Sequence, residues 1–295
     1  MKIGIDIGGS HIAVGLVDHN MNLISKKEYT WTKDEKTNLF ENTEKYAKKF
    51  IKEIIQENNV TVESIGIGYP YENIVNGIIY KDGLEINFPE ILNKEFNIST
   101  YLKNDVKCSA ICEKTLGSLK EYDNCIFMTL GTGIGGAYFY KNELVIPNKF
   151  QGFEVGHMVI ETNGKQCKCG QKGCFEEYAS MRVFRKEIAE LFNLEKIDSH
   201  KTFEIIESKQ KQEEVNRIIE NYVEYLSIGV TNIIKIFEPD AICIGGSFTY
   251  YAPIFMDKLK QKLVANFKGR EIPEILTAKF ENDAGIIGAS MLQSN

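Results

Sequence analysis

The chain has 295 residues, 43% of them hydrophobic and 26% charged, enough for two packed domains and too balanced for a disordered, collagenous or fibrous protein. Lys and Arg number 35 against 41 Asp and Glu, a net charge of -6, so the basic field that a nucleic-acid or anionic-membrane binder uses is missing and a small-molecule ligand is the default. No run approaches the roughly 18–20 apolar residues of a membrane span, and the opening MKIGIDIGG breaks its apolar stretch with Asp6 and two glycines, unlike a signal-peptide core. The expected location is the cytoplasm.

In chain order, the pattern predicts a strand at Ile3–Ile7, a Gly-Gly turn, a second strand around Ile12–Val17 and a third around Leu23–Tyr29. Tyr46, Ala47, Phe50, Ile51, Ile54 and Ile55 recur at helical spacing within Glu44–Gln56, and Ser64–Gly68 reads as a buried strand. A short strand at Ile98–Leu102 ends at Asn104-Asp105, residues suited to cap a helix running to about Gly117. The opening then restarts: a strand at Cys125–Leu130, the turn GTGIGG, a returning strand AYFY and a further strand at Glu143–Ile146. An amphipathic helix over Glu213–Phe237 stops at Pro239 before the strand AICI, followed by Gly245-Gly246-Ser247, a helix, a strand near Ile275–Ala278 and a last helix over Ala284–Leu292. No Pro-rich, Ser-rich or low-complexity linker is present, so the domain boundary is expected as a tight hinge near residues 117–124.

Glycine-rich turns let backbone N–H groups approach an anion, which makes Gly8-Gly9-Ser10 and the turn from Gly131, Thr132 and Gly133 to Gly136 candidate phosphate cradles. Ordinary tight hairpins are the alternative. Residues 131–136 fit G-x-G-x-x-G, but that dinucleotide fingerprint opens a helix and here a strand follows, so a Rossmann site is rejected. Neither turn has P-loop spacing. A carboxylate inside the apolar strand, Asp6, is costly to bury without a cation or donors, and a magnesium-linked role suits it. Asp6, the two glycine turns and the late Gly245-Gly246 together resemble the sugar kinase, actin and Hsp70 ATPase superfold, in which two related α/β domains grip ATP between them.

Seven cysteines without a secretion signal point to a reducing compartment. Cys108, Cys112, Cys125 and Cys243 read as small core residues. His157 with Cys167, Cys169 and Cys174 forms a Cys3His set suited to a closed, structural tetrahedral Zn2+ site; a disulfide pair or free thiols are the alternatives. His11, His19 and His200 read as surface or turn residues.

Over nearly its whole length the sequence resembles the ROK family (repressor, open reading frame, kinase) of bacterial sugar kinases and regulators. The resemblance rests on IDIGGSHIAVGLV, Asn104-Asp105, LGTGIGGA at 130–137, Glu154-Val155-Gly156-His157, CKCGQKGCFEEYAS at 167–180, PDAICIGGS at 239–247 and NDAGIIGAS near the end, in that order and spacing. It implies ATP-dependent phosphorylation of a hexose, a glucose-like aldohexose at its 6-hydroxyl, with Asp105 as general base. N-acetylmannosamine, N-acetylglucosamine, allose and fructose are alternative acceptors. The resemblance further implies that Asn104, Glu154, His157 and Glu176 bind the sugar and that Gly8, Gly9, Ser10, Gly131, Thr132 and Gly133 border the phosphates. Gly245 and Gly246 would border the adenosine, and Asp6 would hold Mg2+ through water. The residues alone admit plainer roles: Asp105 as a helix N-cap, Glu176 and Glu177 as acids at a positive helix end.

The implied architecture is α/β, a two-domain ribonuclease H-like fold with an inter-domain cleft. Residues 1–118 joined by a C-terminal helix over 283–295 form the small domain, and 119–282 the large domain with the zinc site. A homodimer with no nucleic-acid partner is expected. A sugar-responsive regulator of this family carries a helix-turn-helix ahead of the first strand, and the motif here begins at Ile3; a non-catalytic sugar-binding module is the third reading. Lys103 and Lys107 stand where the family carries an acid and an amide, and Tyr71 where it carries glycine.

Overall fold

The computed structural model describes all residues except 10, 33, 36–38, 71–72, 82, 147–152, 269 and 294–295. Ser10 and Tyr71 therefore lie outside the described residues. The chain divides into one unit of Met1–Lys120, Leu144–Gly152 and Asn282–Asn295, and a second of Glu121–Glu143 and Phe153–Glu281.

Alternation of apolar and small residues makes the first unit's sheet. β1 (Lys2–Ile7) turns back antiparallel into β2 (His11–Val17), and β2 into β3 (Leu23–Thr30). After helix α1 (Leu39–Asn58), β4 (Ser64–Tyr69) enters parallel to β1. Short strands β5 (Ile74–Val75), β6 (Ile78–Lys81) and β7 (Leu84–Ile86) form a separate small sheet. α2 (Phe88–Phe96) then leads to β8 (Ser99–Asn104), parallel to β4, and α3 (Asp105–Thr115) follows. The sheet order is β3-β2-β1-β4-β8. On one face Ile3, Ile5, Ile7, Ile65 and Ile67 pack with Ala47, Phe50, Ile51 and Ile54 of α1, all buried.

The second unit repeats that plan. β9 (Cys125–Leu130) and β10 (Ile134–Tyr140) form a hairpin extended by β11 (Glu143–Leu144). Helices α4 (Glu176–Ala179), α5 (Met181–Leu191), α6 (Ser199–Glu207) and α7 (Gln212–Phe237) precede β12 (Ala241–Gly245), which is parallel to β9. α8 (Ala252–Asn266) and β13 (Glu274–Thr277) complete it, giving the order β11-β10-β9-β12-β13. The apolar stripe of α7 is core: Val215, Ile219, Tyr222, Leu226, Val230 and Ile233 pack with Phe184 of α5 and Phe255 of α8. The four scattered cysteines, Cys108, Cys112, Cys125 and Cys243, are all buried.

The last helix, α9 (Ala284–Ser290), lies on the face of the first sheet opposite α1. It approaches so closely that a Cβ on Gly66 would stand 1.7 Å from the Ala289 carbonyl oxygen, and one on Gly4 1.9 Å from that of Ile286. Only glycine permits that backbone-to-backbone contact. Several boundaries differ from the sequence reading by a few residues, and Gly246–Tyr251 is a 3-10 turn before α8 instead of a regular helix start.

Candidate functional site

In the first unit the site residues gather where β1, β4 and β8 end. Asp6 sits beside Gly68 and Gly68 beside Lys103 in register, so Asn104 and Asp105 emerge one step beyond Asp6. Asn104, the last residue of β8, caps α3: its Oδ1 accepts from the Lys107 N–H at 3.3 Å. The cap is thus Asn104 and Asp105 is the first helical residue, which corrects the capping alternative for Asp105. The Asp105 Oδ1 accepts from the Val106 N–H at 2.8 Å and from Asn104 Nδ2 at 3.1 Å. Among the described residues, none of these bonds falls on Oδ2. Burial, reinforced by the charge of Asp6, pushes the Asp105 carboxyl up to about 7, against the pull of the helix-start N–H groups and Lys107.

His11, expected as a surface or turn residue, is a partly exposed first residue of β2 that has a carboxylate partner. Its Nε2 lies 3.7 Å from Asp6 Oδ2, and the hydrogen bond to Asp6 raises its pKa. The signal was the hairpin itself, which carries residue 11 back beside the end of β1. Gly8 and Gly9 form the turn, closed by the Gly8 N–H donating to the His11 carbonyl at 2.9 Å. Of the two family departures, Lys107 is buried and Lys103 is half-buried, with burial lowering the Lys103 ammonium.

In the second unit the glycine turn joins β9 to β10, as the first joins β1 to β2. The Gly131 and Thr132 carbonyls accept from the Arg182 backbone N–H at 3.1 Å and Arg182 Nε at 3.0 Å. Glu154 is exposed and precedes the 3-10 turn Val155–His157. Glu176, 3% exposed, begins α4; a Cβ on Gly133 would stand 2.5 Å from its Oε2, so that glycine is needed for the carboxylate to lie against the turn. Glu177, by contrast, pairs with Arg182 at 2.9 Å. Gly245 ends β12, and Gly246 has a positive φ of 72°.

His157, Cys167, Cys169 and Cys174 bring one donor atom each to within 4.8 Å of one another. A tight turn makes this possible: the Cys167 N–H donates to the Gln171 carbonyl at 2.9 Å, and Gly170 takes φ 95°. Cys167 Sγ is 3.6 Å from His157 Nδ1, and the Cys169 and Cys174 sulfurs are 3.5 Å apart. Ligands bonded at zinc–sulfur length stand about 3.8 Å apart on a tetrahedron, whereas a disulfide needs about 2.05 Å. The donor set therefore fits a closed zinc site and not a disulfide. Burial pushes the Cys167 thiol up to about 12, while the Gln171 backbone N–H lowers Cys169. Glu176 Oε1 lies 3.4 Å from Cys167 Sγ, so this one carboxylate touches both the cysteine cluster and the glycine turn.

The ROK family pattern matches residues 2–295. A glucokinase of Thermotoga maritima is 30% identical, with 98% of this chain and 96% of that protein covered. A xylose repressor of Bacillus subtilis is 26% identical over 99% of this chain and 76% of its own length. Among solved structures, a ROK hexokinase from Thermus thermophilus superposes with a TM-score of 0.79 at 25% identity, covering 98% of this chain and 96% of that one. The fold is that of the sugar kinase, actin and Hsp70 ATPases. With a five-stranded plan repeated in both units and the family pattern running from the second residue to the last, the chain belongs to the ROK family.

Proposed function

We propose that the protein transfers the γ-phosphoryl group of ATP to a hexose, a glucose-like aldohexose at its 6-hydroxyl. The observation that carries this reading is Asp105: a carboxyl group titrating at about 7, with Oδ1 engaged by its own helix start and Oδ2 available to a ligand. Asp105 takes the hydroxyl proton as the sugar oxygen bonds to the γ-phosphorus; the bond from that phosphorus to the bridging oxygen breaks and ADP leaves.

Asn104, Glu154, His157 and Glu176 hold the sugar hydroxyls, with Asn104 also fixing Asp105 through its Nδ2. Gly8, Gly9, Ser10, Gly131, Thr132 and Gly133 border the phosphates, and Gly245 and Gly246 the adenosine. Asp6 would hold Mg2+, which would supply positive charge to offset that of the phosphates. His157, Cys167, Cys169 and Cys174 would hold a structural zinc, which would fix the segment that carries Glu176. The protein works in the cytoplasm as a homodimer, without a nucleic-acid partner.

N-acetylmannosamine, N-acetylglucosamine, allose and fructose are the competing acceptors. The test is ADP release from Mg·ATP with these sugars, glucose and mannose, beside an Asp105→Asn variant. Turnover of one sugar that the folded variant lacks supports the reading. Turnover of none, or undiminished turnover by the variant, refutes it.

A further inference from the structure

The Gly8-Gly9 peptide is the part of the first turn whose orientation glycine leaves least determined, because both flanking residues accept either sign of φ. In the structure it is held from behind. Trp31 follows β3, whose register sets Thr30 beside His11, and its indole Nε1–H donates to the Gly8 carbonyl at 3.1 Å. The Trp31 side chain is 4% exposed and stands edge-on to Tyr29 and Tyr46, at 6.0 and 5.8 Å between ring centroids. Those two rings stack at 4.1 Å, and their hydroxyls donate to Glu35 at 3.0 and 3.1 Å. The indole is thus fixed before any ligand arrives.

The chain has no cis peptide bonds among the described residues, and in a trans peptide the N–H points opposite to the carbonyl. Holding the Gly8 oxygen toward Trp31 therefore aims the N–H of exposed Gly9 away from the protein. A flipped peptide would present an oxygen to an anion in its place. The second turn is held in the same way, since Arg182 takes the Gly131 and Thr132 carbonyls.

We propose that Trp31 is a positioning residue for nucleotide binding, its indole N–H fixing the Gly8-Gly9 peptide so that the Gly9 N–H donates to a phosphate oxygen. This rests on the kinase reading above. Trp31 is the only tryptophan of the chain, so growth of a tryptophan auxotroph on the benzothiophene analogue, which has sulfur in place of the N–H, alters this one position. Trp31→Phe is the genetic counterpart. Calorimetry with Mg·ADP on both proteins, and with the sugar that the unaltered enzyme turns over, reads the effect. Loss of one such bond weakens ADP binding about five- to tenfold and raises the KM for ATP equally, with sugar affinity unchanged and the melting temperature of the analogue protein lowered by only about 2–4 °C. Unchanged ADP affinity overturns the proposal, and so does an equal loss for ADP and sugar. If the unaltered protein binds no ADP, the proposal falls together with the kinase reading.

Discussion

Replacing Asp105 by Asn separates the cost of a buried carboxyl from its use. A carboxylic acid held near 7 instead of its ordinary 3.8 carries about 4 kcal/mol of linkage between protonation and folding. Asp105 keeps some contact with solvent, which reduces the expected effect to about 2 kcal/mol. Because the folded-state value is the raised one, stability from the neutral carboxyl is fully present below 3.8 and is lost as pH rises through about 7. Asn has no proton to lose. In magnesium-free urea titrations, Asp105→Asn therefore gains on the wild-type chain by about 1–2 kcal/mol between pH 5 and pH 8, while its turnover drops by about 10²–10⁴-fold. A difference in stability that does not change with pH, or one that shrinks as pH rises, refutes the argument that burial dominates at this carboxyl.

The same carboxyl predicts that kcat/KM climbs about tenfold per pH unit below about 7 and levels off above it, measured by ADP release across pH 5–9. Cys174→Ser removes one of four clustered donors, so metal analysis of the purified variant shows loss of bound zinc and calorimetry a melting temperature lower by roughly 5–10 °C. Gly66→Ala drives a methyl group into the Ala289 carbonyl, which a packed backbone cannot yield; the chain loses about 3 kcal/mol in urea titration.

What was legible in the sequence is what local chemistry determines. The Cys3His set lies within a few turns of chain, so spacing alone marks it, and the 3.6-residue period of α7 runs long enough to dominate its neighbours. The two glycine hairpins stand at equivalent places in two sheets of the same order, a repeat visible in their flanking strands. Other elements escaped for physical reasons. β5, β6 and β7 are two to four residues long, too short for any alternation to register. α2 carries a capping pattern in the sequence, Asn87 accepting from the Glu90 N–H at 3.1 Å, but Pro89 beside it reads equally as a turn. Lys107 is buried, and α3 is covered by α9 from far along the chain; helical periodicity gives no warning of either. Trp31 and Arg182 hold carbonyls, which no side-chain motif records.

The position of α9 has a consequence for how the chain emerges from the ribosome. The helix buries Ile286, Ile287 and Ala289 against β1, β4 and α3, yet it is made only after the whole second unit. During synthesis the first 120 residues leave uncovered the part of one sheet face beside α3, with Gly4 and Gly66 as the bare seat for a helix still to come. The second unit has no such debt to later sequence beyond its own β13. Order of translation and order of completion are therefore reversed: the unit begun first is finished last, and a nascent chain that stalls before residue 284 leaves its opening sheet for chaperones to shield.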